Sequence, residues 1–413
     1  MNAAGPGPVA TSTMASLIVV AVAILGGLFM AWALGASSNS PPFAPAVGAN
    51  ALPTMRAALL IGIFAGLGAV AQGSSISETV GTGLIDGVAI TPLAAAAGLL
   101  TAAGFIAMGV GTGYPIPAAF AVTGAMVGVG LALGGDPAYD TYERILAFWA
   151  AVPIVSGSIA YGTATLLRRD DIPETVGVPL LGALVGFIVA NIPLAFVPAP
   201  AGQGTFAGFA SRTVGVEGPI LLAGYGLVEA AASLVVALLT FLLLRRQMRR
   251  SVADGIRQFL VGLGALVAFS SGGSQVGLAT GPLETLFSTQ LGLPDIVLLV
   301  FGGTGILLGA WMGSPRLLQA VAREYSTLGV RRSIAALVPG FIIAQAAIAL
   351  GIPISFNNII ISSVIGSGLV EGSAGVSRRK IGRTAVVWIT TLLAAGASGY
   401  GLYTALSLIP GAA

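Results

Sequence analysis

Residues 269–283 read FSSGGSQVGLATGPL, a run of small and polar residues ending in a proline, set directly behind the apolar stretch Leu260 to Ala268. The rest of the chain is too oily for such an interruption to be incidental. Of 413 residues 56% are hydrophobic and only 8% charged, with mean hydropathy +0.96, so a conventional solvated surface is excluded. A hydrocarbon core about 30 Å thick takes roughly 20 apolar residues per helix, and about a dozen apolar segments between Ala15 and Leu408 reach or approach that length. They include Pro115 to Leu133, Val176 to Val197, Gly218 to Leu244, Arg257 to Ser270 and Pro353 to Val370. The expectation is an all-α membrane protein in which residues 269–283 interrupt a helix at membrane depth.

Many of the sixty glycines lie inside apolar segments beside Ala and Ser, as expected where transmembrane helices pack closely. Cys and His are both absent, which removes disulfides, thiol chemistry, Cys or His metal sites and His-based acid/base catalysis. An enzyme is therefore the weakest reading, and no cofactor is expected beyond a coupling Na+ or H+.

Charge placement sets the expected topology. With about twelve crossings assigned alternately to two sides, every one of the 18 basic residues except Arg144 and Arg212 falls on one side. That side is expected to be cytoplasmic, with both termini outside the cell membrane. The four arginines of RRQMRR (Arg245 to Arg250) read as a topology anchor touching anionic lipid rather than as a nucleic-acid patch.

The interruption at 269–283 has a partner in LGASSNSPPFAPAVGANAL, residues 34–52. A second kind of break also occurs twice, as GYPIPAAFAVTGAMVGVG from Gly113 and GIPISFNNIIISSVIGSG from Gly351. In both halves the polar break comes first, two apolar segments follow, and a Pro-Ile step opens another small-residue helix. The expected units are an N-terminal repeat at 13–167, a central helix pair at 168–254 and a C-terminal repeat at 255–408, inverted because each repeat has an odd number of crossings. Irregular backbone at membrane depth is tolerated only where protein or a water-filled cavity covers it. Paired, Gly/Pro-interrupted segments in inverted repeats point to a secondary transporter with its site where the breaks meet, and broken helices present free N–H groups that suit an anion. Whether the Pro-Ile segments cross fully or re-enter is open at this level.

At these residues the chain resembles the inorganic phosphate transporter (PiT) family, over nearly its whole length apart from the central pair. Gly35, Ala36, Phe43, Val47 and Gly48 follow the family's first motif. Phe269, Ser270, Gly272, Val276, Ala279, Gly281, Pro282 and Leu283 follow the second. Pro115, Ile116, Gly124, Ala125, Val127 and Gly128, and in the other copy Pro353, Ile354, Ser355 and Gly366, follow the later motif, and SISETVGTGLID (Ser75 to Asp86) resembles the segment after the second helix. The resemblance implies phosphate as the cargo, moved by alternating access with a coupling cation. The departures fall on the chemistry: the family's Asn-Asp pairs are Ser37-Ser38 and Ser274-Gln275 here, and the counterpart of Glu78 is Gln319.

The groups left to bind an anion are small and neutral: Ser37, Ser38 and Asn39 from one break, Ser271, Gly272, Ser274 and Gln275 from the other, and Ser355, Asn357 and Asn358 from the second Pro-Ile step. Asn357 and Asn358 also suit a helix cap. Glu229, placed mid-segment in Gly218 to Leu244, and Glu78 are candidate coupling groups; Glu229 reads equally as a neutral, hydrogen-bonded packing residue. The expected partners are phosphate or a related anion, membrane lipid and, in a homo-oligomer, a second copy, with no nucleic acid. The alternatives are a carrier of sulfate or a neutral solute, or a channel-like or sensing relative that keeps the scaffold.

Overall fold

The computed structural model describes residues 8–200, 204–215, 220–222, 225–324, 329–372 and 377–409. It is almost entirely helical: α1 (Pro8–Ala36), α2 (Ala44–Gly48), α3 (Thr54–Gln72), α4 (Ser74–Thr82), α5 (Pro92–Thr112), α6 (Ala118–Ala132), α7 (Tyr139–Leu167) and α8 (Glu174–Ala190). These are followed by α9 (Phe206–Val214), α10 (Leu227–Arg250), α11 (Val252–Thr280), α12 (Asp295–Glu324), α13 (Val330–Ala349), α14 (Phe356–Gly368) and α15 (Arg378–Ser407). Among the described residues, nine helical runs are long and apolar enough to cross a membrane, and α6, α8 and α14 are shorter apolar helices, which together account for the dozen expected segments.

The first break forms as expected, and its chemistry explains why. After Ala36 the sequence SSNSPP offers side chains that compete for backbone partners and two prolines that cannot donate. Ser40 Oγ donates at 2.9 Å to the Ala36 carbonyl, an acceptor at the helix end, and the Leu34 carbonyl accepts from Asn39 twice, from its N–H at 3.1 Å and its Nδ2 at 3.3 Å. The chain then makes one 3-10 turn at Pro41–Phe43 and the short α2.

The second break differs from expectation. Residues 269–280 do not interrupt a helix; they are the last turns of the continuous 29-residue α11, and the chain turns only at Gly281–Leu283. No proline occurs before Pro282 in this stretch, and the hydroxyls of Ser270 and Thr280 donate at 2.9 Å to carbonyls one turn back, at Leu266 and Val276, so polar side chains are absorbed without breaking the ladder. The expected segment Arg257 to Ser270 is correspondingly ten residues too short at its C-terminal end.

The Pro-Ile steps behave alike. Gly113 and Gly351 adopt left-handed φ of 74° and 63°, and extended backbone leads through proline into α6 and α14. At 15 and 13 residues each helix is short of the roughly 20 needed to span, and both begin among buried residues: Ala118 and Phe356 are fully covered.

Helix contacts fall into matched pairs. α1 packs on α12 as α3 packs on α11; α6 packs on α15 as α14 packs on α7; α5 meets α6 as α13 meets α14. The closest crossings rest on glycine. A methyl group at Gly35 would collide with the Ile306 carbonyl, and one at Gly272 with the Ala65 carbonyl; Gly128 against Gly396 and Gly366 against Gly157 form a second such set. Small residues let backbones approach where lipid supplies no hydrophobic drive between helices.

α8 and α10 pack together beside this body. The stretch between them carries α9 and the short strands Ile220–Leu222 and Tyr225–Gly226. The expected segment Gly218 to Leu244 therefore starts too early: α10 begins at Leu227, and residues 216–219 and 223–224 lie outside the described residues.

Candidate functional site

Ser37, Ser38, Asn39, Ser271, Ser274, Gln275 and Asn357 are fully buried, and Ser355 and Asn358 are 2% exposed. Four elements bring most of them together. Ser271 Oγ donates to Asn39 Oδ1, joining α11 to the break after α1. Asn357 Nδ2, in the first turn of α14, donates to the Ile116 carbonyl at 2.7 Å and reaches Ser37 Oγ at 3.5 Å. Gln275 Nε2 donates to the Ile354 carbonyl at 2.8 Å. The two Pro-Ile steps thus each receive one side-chain amide, and the starts of α6 and α14 are tied to the same cluster.

Those amides determine what remains. A backbone carbonyl only accepts, so each NH2 group must face it, and the other end of the amide must be the oxygen. Gln275 Oε1 and Asn357 Oδ1 are buried without a hydrogen-bond partner, and so are the hydroxyls of Ser38, Ser274 and Ser355. Buried polar atoms left unmade cost about 1–3 kcal/mol each, so these five are the atoms of the set that remain free for a ligand or for water. The hydroxyls donate or accept; the two amide oxygens accept only.

Among the described residues the fully buried polar side chains are all neutral. Attraction for an anion therefore has to come from hydroxyls and from the N-terminal ends of α6 and α14, where unpaired N–H groups carry partial positive charge. Neither helix has a side-chain cap over its N-terminus. Asn357 and Asn358 are accordingly not caps: the first reaches across to Ile116, and the second lies 3.5 Å from Ser362 Oγ on its own helix.

Three of the residues expected at the site or in coupling stand elsewhere. Gly272 makes the backbone crossing with Ala65. Glu229 is not mid-span: it sits in the first turn of α10, where its Oε2 accepts from the Gly226 N–H at 3.3 Å, the acid position expected at a helix start. Glu78 is exposed on α4. Burial, with the charges of Asp295 and Glu78 added to it, pushes the Glu284 carboxyl above its ordinary range.

A neighbouring network escaped sequence reasoning. Gln345 Nε2 donates to Ser270 Oγ at 2.6 Å, and Gln72 Nε2 lies 3.3 Å from both Gln345 Oε1 and the Pro193 carbonyl, so α3, α11 and α13 are latched behind the site. The available signal was a lone amide in an apolar helix, AVAQG at Gln72 and IAQAA at Gln345.

A model described as the phosphate transporter family matches residues 34–399. A relative from Chlamydia trachomatis named "Putative phosphate permease" is 26% identical, the alignment covering 92% of this chain and 96% of that one. One of like name from Pyrococcus furiosus is 24% identical over 95% and 97%. Among solved structures, one titled "The sodium-dependent phosphate transporter" superposes with a TM-score of 0.79 at 23% identity, covering 95% of this chain and all of that one, and so shares the fold. The matched residues run from just before the first break to the last helix and enclose every element that builds the neutral site, so the chain belongs to the phosphate transporter family.

Proposed function

We propose that the protein is a secondary carrier that moves inorganic phosphate across the cell membrane, together with a cation, through the neutral site between the two Pro-Ile steps. The observation that carries this reading is the pair of acceptor-only oxygens, Gln275 Oε1 and Asn357 Oδ1, buried without donors. Dihydrogen phosphate brings two P–OH groups, one for each oxygen, and monohydrogen phosphate brings one, whereas sulfate near neutral pH has no proton to give. Ser38, Ser274 and Ser355, with the ends of α6 and α14, supply donors for the remaining oxygens. The matched glycine crossings support two inverted halves, 13–167 and 255–408, that rock against each other around this site, with 168–254 as a separate pair. The charge asymmetry supports an orientation with both termini outside.

On this reading the coupling proton travels on the phosphate. A second reading has the same oxygens hold a sodium ion beside the anion, favoured by the likeness to a solved carrier whose title calls it sodium-dependent. Uptake of radiolabelled phosphate by purified protein in liposomes, under an imposed sodium or proton gradient and with excess sulfate, separates them. Saturable uptake driven by protons and insensitive to sulfate is the expected result. Sodium-driven uptake that sulfate inhibits would assign the oxygens to the cation, and ungated flux with no saturation would indicate a channel.

A further inference from the structure

A long groove of about 980 Å³ runs along the lipid-facing side of the helices that carry the second Pro-Ile step. Its walls are α7 and α15, which pack on α14 and α6 rather than on each other. The floor is set by the crossing of Gly157 and Gly366, where the α7 and α14 backbones touch. Its rim is strongly apolar, with Ile154 and Leu393 each 70% exposed. On α7 it extends from Leu146 to Tyr161, about 22 Å by the helical rise, somewhat more than one leaflet of a core about 30 Å thick.

The charge at one end identifies the occupant. Two helical turns beyond Tyr161 lies Arg168, exposed and donating at 2.8 Å to the Val370 carbonyl, next to the lining residue Leu369. Arg379, exposed, stands in the first turn of α15, close in sequence to the lining residue Ile381. Three nearby arginines are committed, Arg169 to Asp171, Arg331 to Glu174 and Arg332 to Glu371, and Arg383 lines a separate pocket with Tyr114 and Val387. Among the described residues Arg168 and Arg379 have no such carboxylate.

We propose that this groove is a binding site for an anionic phospholipid, one acyl chain lying between α7 and α15 and the headgroup phosphate held by Arg168 and Arg379. An apolar channel of leaflet length with cationic groups at one mouth matches such a lipid at both ends. The bound chain lies over Asn358 and Ser362 in the groove floor, one residue from the Asn357 that ties α14 to the transport site, so lipid occupancy and the setting of α14 are joined.

Trp149 and Trp388 line the groove and serve as reporters. The full chain carrying Trp32→Phe and Trp311→Phe is placed in phosphatidylcholine vesicles, and quenching is measured with brominated-chain phosphatidylglycerol or brominated phosphatidylcholine. The phosphatidylglycerol is expected to bind preferentially, with the preference falling about fivefold for each of Arg168→Gln and Arg379→Gln. Ala385→Phe, which fills the groove, should cut quenching by both lipids; helicity by circular dichroism confirms that each variant is folded. Equal quenching by the two lipids, or a preference that survives both arginine substitutions, would overturn the proposal. So would protection of Trp388 that rises with protein density, since it would give the groove to a second copy of the chain.

Discussion

Replacing Gln275 by leucine separates anion recognition from structural support. The substitution keeps the approximate size and removes two things at once: the Nε2–H that bonds the Ile354 carbonyl at 2.8 Å, and the unpartnered Oε1 assigned to a P–OH donor. The first loss leaves a buried carbonyl without a donor, costs about 1–3 kcal/mol of stability, and is indifferent to which anion is bound. The second removes a hydrogen bond to a charged ligand, about 1.5–3 kcal/mol, which is roughly a tenfold to hundredfold loss of phosphate affinity. Sulfate, which donates nothing to Oε1, loses only what the distorted α14 entrance costs any anion. The readout is therefore a ratio: concentration dependence of phosphate uptake in liposomes, measured with sulfate as competitor, for wild type and Gln275→Leu. Phosphate should weaken about tenfold or more while sulfate improves relative to it. If both anions weaken by the same factor, the amide oxygen does not read the cargo's proton and Gln275 is a brace for the Ile354 carbonyl alone.

Gly272→Val should destabilise the protein by about 1–3 kcal/mol or prevent folding, since the new side chain collides with the Ala65 carbonyl; the check is the thermal unfolding midpoint in detergent. Glu229→Gln should leave phosphate uptake and its pH dependence unchanged, because the carboxylate caps the start of α10 rather than facing the transport site; a shifted pH profile would restore the coupling role. Burial and the charges of Asp295 and Glu78 raise the Glu284 pKa in the folded state. The folded protein then holds a proton that the unfolded chain has released, and stability is lost as pH rises from the ordinary carboxylate range through the raised value. Glu284→Gln should remove that fall, read as unfolding midpoints across the acidic range.

Membrane insertion, the helical class and the dozen segments follow from the sequence alone, because lipid allows few ways to satisfy a backbone and roughly 20 apolar residues are a strong local signal. The first break was legible for a similar reason: Pro41 and Pro42 cannot donate, and the side chains of Asn39 and Ser40 terminate the helix by bonding its last carbonyls. The second break was misplaced because serine and glutamine are poor signals of helix beside glycine, yet in α11 the hydroxyls bond back into the helix and Gln275 finds the Ile354 carbonyl from 79 positions away. Glu229 was misread because hydropathy does not mark where a helix begins, and a carboxylate in a first turn looks mid-span if the start is set nine residues early. The residue types of the site were legible as a neutral, small, polar set. Which of their atoms are spent on the protein and which are left for cargo was decided only by the tertiary structure, since it depends on the Ile116 and Ile354 carbonyls meeting amides from distant helices. The lipid groove is likewise a product of packing: Gly157 and Gly366 are two small residues among many until α7 and α14 close on them and leave α7 and α15 apart.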